Sequence, residues 1–103
     1  MQKDVWVKIQ NGSFKVWLYE EHTTAITTRC GRLGLPKHKL KTKTKASYNP
    51  SRDGNRLAAL KEAKGYVPID AMFYWDNYRD IATIIRVVSR QEQIPVNRKQ
   101  EPG

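Results

Sequence analysis

DVWVKIQNGSFKVWLYE, residues 4–20, decides the fold, because two segments that alternate apolar and polar side chains flank an Asn-Gly pair. A period of two is the pattern of a strand with one buried face, and Asn11-Gly12 strongly indicates a type I′ turn. A two-residue turn predicts an antiparallel hairpin in one defined register. Its cross-strand pairs are Ile9 with Phe14, Val7 with Val16 and Val5 with Leu18 on one face, and Lys8 with Lys15 and Trp6 with Trp17 on the other.

The second face of this hairpin carries Trp6, Trp17 and Tyr19 beside the lysine pair Lys8 and Lys15. Like charges directly across a ladder cost stability unless solvent or an anion relieves them. Two interpretations are open. In one, a later helix covers the rings while the lysine ends reach water. In the other, the three rings are a stacking platform for bases, with cations beside it.

A lysine-rich segment follows the hairpin. We expect a third strand over TAITTRC, residues 24–30, and a turn region over residues 31–36. KHKLKTKTK, residues 37–45, is interpreted as a fourth strand, whose odd positions share one face. The lysines of this row are Lys37, Lys39, Lys41, Lys43 and Lys45. At about 3.3 Å per residue the row is about 26 Å long and can follow a nucleic-acid backbone, whereas an edge strand protected against aggregation is the alternative.

The positive charge is concentrated in one segment. The net charge is +9, and residues 29–64 hold eleven Lys or Arg against Asp53 and Glu62, while the remaining residues balance. An excess confined to one segment indicates a local anionic partner. The binding residues that we predict besides the lysine row are Arg29, Arg32, Arg52 and Arg56, with Gly31 leaving room for the backbone to approach the ligand.

Helices are expected in the second half of the chain. Asn49 is a good N-cap before Pro50, and Gly65 supplies a C-terminal stop, although Gly54 weakens the first turn and favours a later start. Asp70 would cap a second helical segment. We therefore predict an α+β fold: a small antiparallel sheet of about four strands, a helix packed on one face and an additional C-terminal helical segment. Residues 1–67 and 68–90 form one domain, and 91–103 a mobile tail.

A short signature within the basic segment resembles a known family. Its residues are Cys30-Gly31-Arg32, followed by Leu33-Gly34, with Lys64-Gly65-Tyr66 closing the helix. Over roughly residues 4–67 the chain resembles the WGR domain, named for Trp-Gly-Arg and found in DNA-dependent poly(ADP-ribose) polymerases and bacterial proteins. The resemblance implies an antiparallel sheet with a helix against one face, and contact with DNA near a strand break. Cys30 stands where the signature has Trp, and a thiol does not stack on a sugar or base.

The expected function is a small stand-alone nucleic-acid-binding module. Duplex DNA is preferred over RNA because of the resemblance alone. The alternative is a protein-interaction adaptor that docks its basic face on an acidic partner and offers apolar contacts from its C-terminal segment. A weaker third hypothesis is a ribonuclease using His22 and His38, but His38 faces away from the lysine row in our register. The oligomeric state is left open.

Several classes of protein are disfavoured by the sequence. No apolar run approaches the roughly 20 residues that cross a bilayer, and MQKDVWVK lacks the apolar stretch of a signal peptide, so we expect a cytoplasmic protein without membrane contact. The single cysteine, Cys30, forms no internal disulfide and no CxxC metal pattern. We expect no metal, no cofactor and no catalytic residue.

Overall fold

A computed structural model describes residues 3–100, with side chains placed through residue 91. Its elements in chain order are β1 (Asp4–Gln10), β2 (Ser13–Glu21), β3 (Ala25–Arg32), a 3₁₀ turn (Lys37–Lys39), β4 (Lys41–Ala46), α1 (Pro50–Ala63), β5 (Val67–Asp70), α2 (Ala71–Asn77) and α3 (Ile81–Gln100). The strands form one antiparallel sheet in the order β4-β3-β2-β1-β5. The α+β class is confirmed, with five strands in the described chain instead of about four.

The hairpin forms in the predicted register. Asn11 and Gly12 have φ of 50° and 79°, the positive values that a type I′ turn requires. The observed partners include Trp6 with Trp17, Val7 with Val16, Lys8 with Lys15 and Ile9 with Phe14. Because side chains alternate along a strand, this register divides the sheet into an aliphatic face, which holds Val7 and Val16, and an aromatic face, which holds Trp6 and Trp17.

Strand β5 was missed from the sequence. It is four residues long and contains Pro68, both of which argue against a strand in isolation. Proline is tolerated here because β5 is an edge strand whose neighbour in the sheet is β1. The pairing of Ile69 with Val5 and of Val67 with Val7 extends the aliphatic face.

The aliphatic face packs against α2 and α3. Tyr74, Ile84 and Val88 are fully buried in the same cluster as Val5, Val7, Val16 and Leu18. The C-terminal segment therefore covers the second face of the sheet. The apolar area buried between them stabilises this packing.

The aromatic face packs against α1. Trp6 and Trp17 are only 6% and 4% exposed, and Ala58 of the helix is buried with them. Their rings meet edge to face at 5.2 Å, and Trp6 Nε1 donates a hydrogen bond of 2.9 Å to Glu62 on α1. The first interpretation of this face is confirmed, because a later helix covers the aromatic rings.

Helix α1 begins at Pro50, so the later start that Gly54 favoured is wrong. The Asn49 side chain accepts a hydrogen bond of 3.1 Å from the Arg52 backbone and caps the helix. Gly54 is buried against Tyr19, and a Cβ at this position would overlap the tyrosine ring. Glycine is needed because the helix lies so close to the sheet. The predicted stop is confirmed, since Gly65 has φ of 101° just after the helix.

The C-terminal helical segment is two helices. Asp70 caps α2 by accepting a 2.9 Å hydrogen bond from the Phe73 backbone, as predicted. The break follows Asn77, and Asp80 accepts bonds from both the backbone and the hydroxyl of Thr83 in the first turn of α3. Helix α3 continues through Gln100, so the tail predicted over 91–103 is helical to residue 100; its last three residues lie outside the described chain.

Replacing Gly54 with Ala should lower the free energy of unfolding by about 1–3 kcal/mol, although Ala ordinarily favours a helix by about 1 kcal/mol. The Tyr19 ring packs against both Trp6 and Trp17 at 5.6 Å, so moving it aside would disrupt these ring contacts. Urea denaturation measures the change. Ala59→Gly, at an exposed position of the same helix, is the matched control and should cost about 1 kcal/mol. Stabilisation by Gly54→Ala would contradict this packing.

Replacing Tyr74 with Phe should change how stability depends on alkaline pH. Burial raises the pKa of Tyr74 from 10.0 to about 12, with a smaller lowering by the Gly34 backbone. The fold prefers the neutral phenol, so its contribution is complete below about pH 10 and is lost as the pH rises towards about 12. The unfolding free energy of the wild type should fall by roughly 1–3 kcal/mol more than that of the variant across this range. A constant difference between the two denaturation series would refute the assignment.

Candidate nucleic-acid interface

The lysine-rich segment is not a continuous strand. Residues Lys37–Lys39 form the 3₁₀ turn after Pro36, closed by a 3.1 Å hydrogen bond from the Leu40 backbone to the Lys37 carbonyl. Leu40 is 5% exposed and belongs to the aliphatic core. The chain turns after Pro36 so that the Leu40 side chain can be buried, and this burial outweighs the alternation of lysines that predicted a strand over residues 37–45. The single row of five lysines is therefore wrong.

Three lysines of the predicted row do share one face. Lys41 pairs with Cys30, Lys43 with Thr28 and Lys45 with Ile26. Since Cys30 pairs with Trp17 on β2, these lysines project from the aromatic face. All of β4 is exposed, and no described carboxylate forms an ion pair with any of the three. This edge strand offers three unneutralised cations on one side.

A second group of cations lies on the same face. Lys8, Lys15 and Arg32 are directly opposite one another on β1, β2 and β3. The end of α1 adds Lys61 and Lys64, and we call these five residues the cationic cluster. No member makes an ion pair in the described structure. The hairpin register predicted the first pair, but the sequence did not show that Arg32 and the helix end would join it.

The cationic cluster surrounds an aromatic ring and a pocket. The ammonium groups of Lys8 and Lys61 lie 5.7 and 5.3 Å from the centre of the Tyr66 ring. An open pocket of about 340 Å³ lies beside this ring, lined by Lys15, Val16, Cys30, Gly31, Arg32, Lys61 and Tyr66. The thiol of Cys30 is free and half-buried. The lining suits an anionic group, because basic side chains from β2, β3 and α1 meet there.

The protonation of Lys61 reflects this crowding. Burial, followed by the positive charge of Lys64, lowers the pKa of Lys61 below its ordinary value, with smaller lowering by Lys15 and Lys8. The charged form of Lys61 is therefore less favourable in the folded protein than in water. A bound anion would relieve that cost by restoring a counter-charge.

Two of the predicted binding residues share one carboxylate partner. Lys37 and Arg29 both pair with Glu20, at 2.9 and 3.6 Å. Arg29 also donates a 3.0 Å hydrogen bond to Thr42, and its pairing with Leu18 places it on the aliphatic face. The hydrogen bond from Lys37 is the main reason why the pKa of Glu20 lies below its ordinary value. The structure thus separates Arg29 and Lys37 from the cations of the aromatic face, and exposed Lys39 lies in the 3₁₀ turn outside β4.

The predicted stacking platform is also corrected. Trp6 and Trp17 are covered by α1, so their faces are closed to bases, and Tyr19 is half-buried against Gly54. Gly31 leaves room for a neighbouring side chain instead of a ligand, because a Cβ there would lie 2.8 Å from Leu40 Cδ2.

The arginines of α1 lie on an outer surface beside β4. Asp53 accepts a 2.6 Å hydrogen bond from Ser47, directly after β4, which places that side of the helix towards the edge strand. Arg56 forms a long ion pair of 3.9 Å with Asp53 while 65% of its side chain stays exposed, and Arg52 is exposed. Both can approach a ligand that lies along β4.

The two histidines do not join the cationic cluster. His22 Nε2 lies 2.9 Å from the Thr27 hydroxyl, which in turn lies 2.8 Å from that of Thr44. His38 is exposed in the 3₁₀ turn. Among the described residues, His, Cys, Asp and Glu form no group of three or more suited to a metal ion. The described helices include none long and apolar enough to cross a membrane.

The chain matches no protein-family model, and neither a curated protein nor a solved structure matches it. A function for this chain is therefore inferred from its own residues and their arrangement.

Proposed function

We propose that this chain is a nucleic-acid-binding module that holds a phosphate backbone on the aromatic face, along β4 and beside α1. The observation that carries the proposal is the one-sided placement of Lys41, Lys43 and Lys45, exposed and without carboxylate partners in the described chain. Alternate residues of a strand are about 6.6 Å apart, so the ammonium groups form a spaced series along one line. Such a series attracts a polyanion and releases its counterions.

The cationic cluster extends this surface across the sheet. Arg32 lies on the same face as Lys41 and is directly opposite Lys15, and neither Arg32 nor Lys15 forms an ion pair with a described carboxylate. Arginine makes bidentate hydrogen bonds to phosphate, whereas lysine acts as a point charge. We infer that Arg32 fixes the position of one phosphate while the β4 lysines hold the neighbouring backbone.

Duplex DNA is the proposed ligand because of the WGR resemblance, with RNA as the alternative. Backbone contacts from lysine carry little sequence information, so little base selectivity is expected. The competing adaptor hypothesis needs apolar residues of the C-terminal segment for a partner. Tyr74, Ile84 and Val88 are instead fully buried against the sheet, and the large apolar side chains of that segment that the described structure exposes are Met72 and Ile81. This small apolar surface favours a nucleic acid over a protein partner.

Replacing Lys41, Lys43 and Lys45 together with Gln should weaken binding to a closed circular duplex about 100-fold or more at low salt. The slope of log K against log salt should become shallower by about 2–3 from a wild-type value near −4 to −5, because each lost phosphate contact removes nearly one unit. The melting temperature should hardly change, since exposed charges contribute little to stability. Fluorescence anisotropy over a salt series measures both quantities.

A matched control separates placement from net charge. Arg79, Arg86 and Arg90 are exposed on the C-terminal helical segment, and replacing all three with Gln removes the same charge. This control should keep most of the affinity. Equal losses in the two variants would show that net charge alone drives binding, and undetectable binding by the wild type at about 50 mM salt would reject the nucleic-acid function.

Replacing Arg32 with Ala should cost roughly 1–3 kcal/mol of binding free energy on duplex DNA, because a phosphate loses a bidentate partner. Arg29→Ala is the comparison, three residues away on the opposite face and already paired with Glu20. It should alter binding little. Isothermal titration of both variants distinguishes the two arginines. A larger loss of affinity from Arg29→Ala would contradict the proposal, because it would place the interface on the aliphatic face.

A further inference from the structure

Tyr48 lies in the loop between β4 and α1 with its side chain fully in solvent. Its relative exposure is 106%, whereas the other large exposed apolar side chains of the described chain, Leu60, Met72 and Ile81, reach 52%, 75% and 38%. A ring in this state contributes no buried area to the fold. Neither the sequence patterns nor the cations of the aromatic face account for an aromatic side chain at this point.

The backbone on both sides of Tyr48 is held firmly. Ser47 donates a 2.9 Å backbone hydrogen bond to the Thr24 carbonyl, and its hydroxyl donates a 2.6 Å bond to Asp53. On the other side, Asn49 caps α1 through Arg52. The ring is therefore presented from a fixed point of the chain, so that little backbone entropy would be lost when a ligand contacts it.

Cations lie on either side of this ring along the chain. Lys45, the last lysine of β4, is three residues before Tyr48, which places the two Cα atoms within about 11 Å of each other. Arg52 follows in the first turn of α1 and is exposed. Neither side chain makes an ion pair with a described carboxylate. Tyr48 thus stands where the series of β4 lysines ends.

We infer that Tyr48 is a stacking site for an unpaired base, and that the ligand carries a single-stranded segment beside the backbone held by β4. This inference rests on the proposed nucleic-acid function and names the form of its ligand. A cationic track that ends in an open aromatic ring is the combination by which proteins hold single strands, because every base has a face that stacks. The bases of a closed duplex present no free face, so Tyr48 distinguishes unpaired from paired nucleic acid.

The experiment compares Tyr48→Ala and Tyr48→Phe on a short oligothymidylate and on a closed circular duplex, with anisotropy or filter binding as the readout. Tyr48→Ala should weaken oligothymidylate binding about 5- to 100-fold, while Tyr48→Phe keeps the ring and the affinity. Neither variant should alter binding to the circle. Met72→Ala, a substitution at an exposed site on α2, is the control and should leave both ligands unaffected. Circular dichroism checks that each variant is folded.

The β4 variant distinguishes failure of this inference from failure of the proposed function. If replacing Lys41, Lys43 and Lys45 weakens both ligands but Tyr48→Ala weakens neither, the stacking site is rejected and the proposed function stands. If the β4 variant loses no affinity for either ligand, the backbone interface itself is rejected. A loss from Tyr48→Phe equal to that from Tyr48→Ala would also overturn the inference, because it would assign the contact to the hydroxyl instead of the ring.

Discussion

The register imposed by Asn11-Gly12 determines which side chains share each face of the sheet. A slip of one residue between β1 and β2 would move every side chain of one strand to the opposite face. In the observed register Val7 lies opposite Val16, and Trp6 lies opposite Trp17. Each face then receives its own helical cover, α2 and α3 over the valines and α1 over the tryptophans. The same register places Lys8 opposite Lys15, so the position of the cationic cluster follows from the turn.

Local signals in the sequence were sufficient where a local interaction determines the structure. The hairpin, the cap at Asn49 and the stop at Gly65 each depend on residues that are near neighbours in the chain. The errors arose where distant residues compete with the local pattern. Leu40 is drawn into the aliphatic core and interrupts the lysine alternation, and β5 exists only because β1 supplies its hydrogen-bond partner. The break before α3 was likewise hidden in a continuous apolar pattern, although Asp80 and Thr83 are a recognisable cap.

The candidate site, like the fold, was predictable where local patterns determine it and was missed where distant residues meet. The alternation of residues 41–45 correctly placed three lysines on one face. Lys37 was assigned to that row in error, and Arg29, predicted to bind beside the row, lies on the opposite face through its pairing with Leu18. The ion pairs of both residues with Glu20 are tertiary contacts that the local pattern does not contain. Tyr48 had no periodic context at all, so only its exposure in the folded chain singles it out. The sequence instead predicted stacking at Trp6, Trp17 and Tyr19, whose rings pack in the cluster between the sheet and α1.

Protection of an edge strand is the strongest competing explanation for the lysines of β4. Lysine on an edge strand does oppose pairing with another chain, and that role is served by charges on either face. The lysines of β4 itself are confined to one face. The other face of β4 presents Thr42 and Thr44, which hydrogen-bond to Arg29 and Thr27. The cationic cluster lies outside β4, and its strand members Lys8, Lys15 and Arg32 share the face of the β4 lysines. Burial, followed by the charge of Lys64, lowers the pKa of Lys61 within this cluster. Edge protection requires no such cluster, and it gives no reason to hold cations at a cost to stability. The anionic ligand that we propose for this face would account for both features, because it would neutralise the edge lysines and the cluster together.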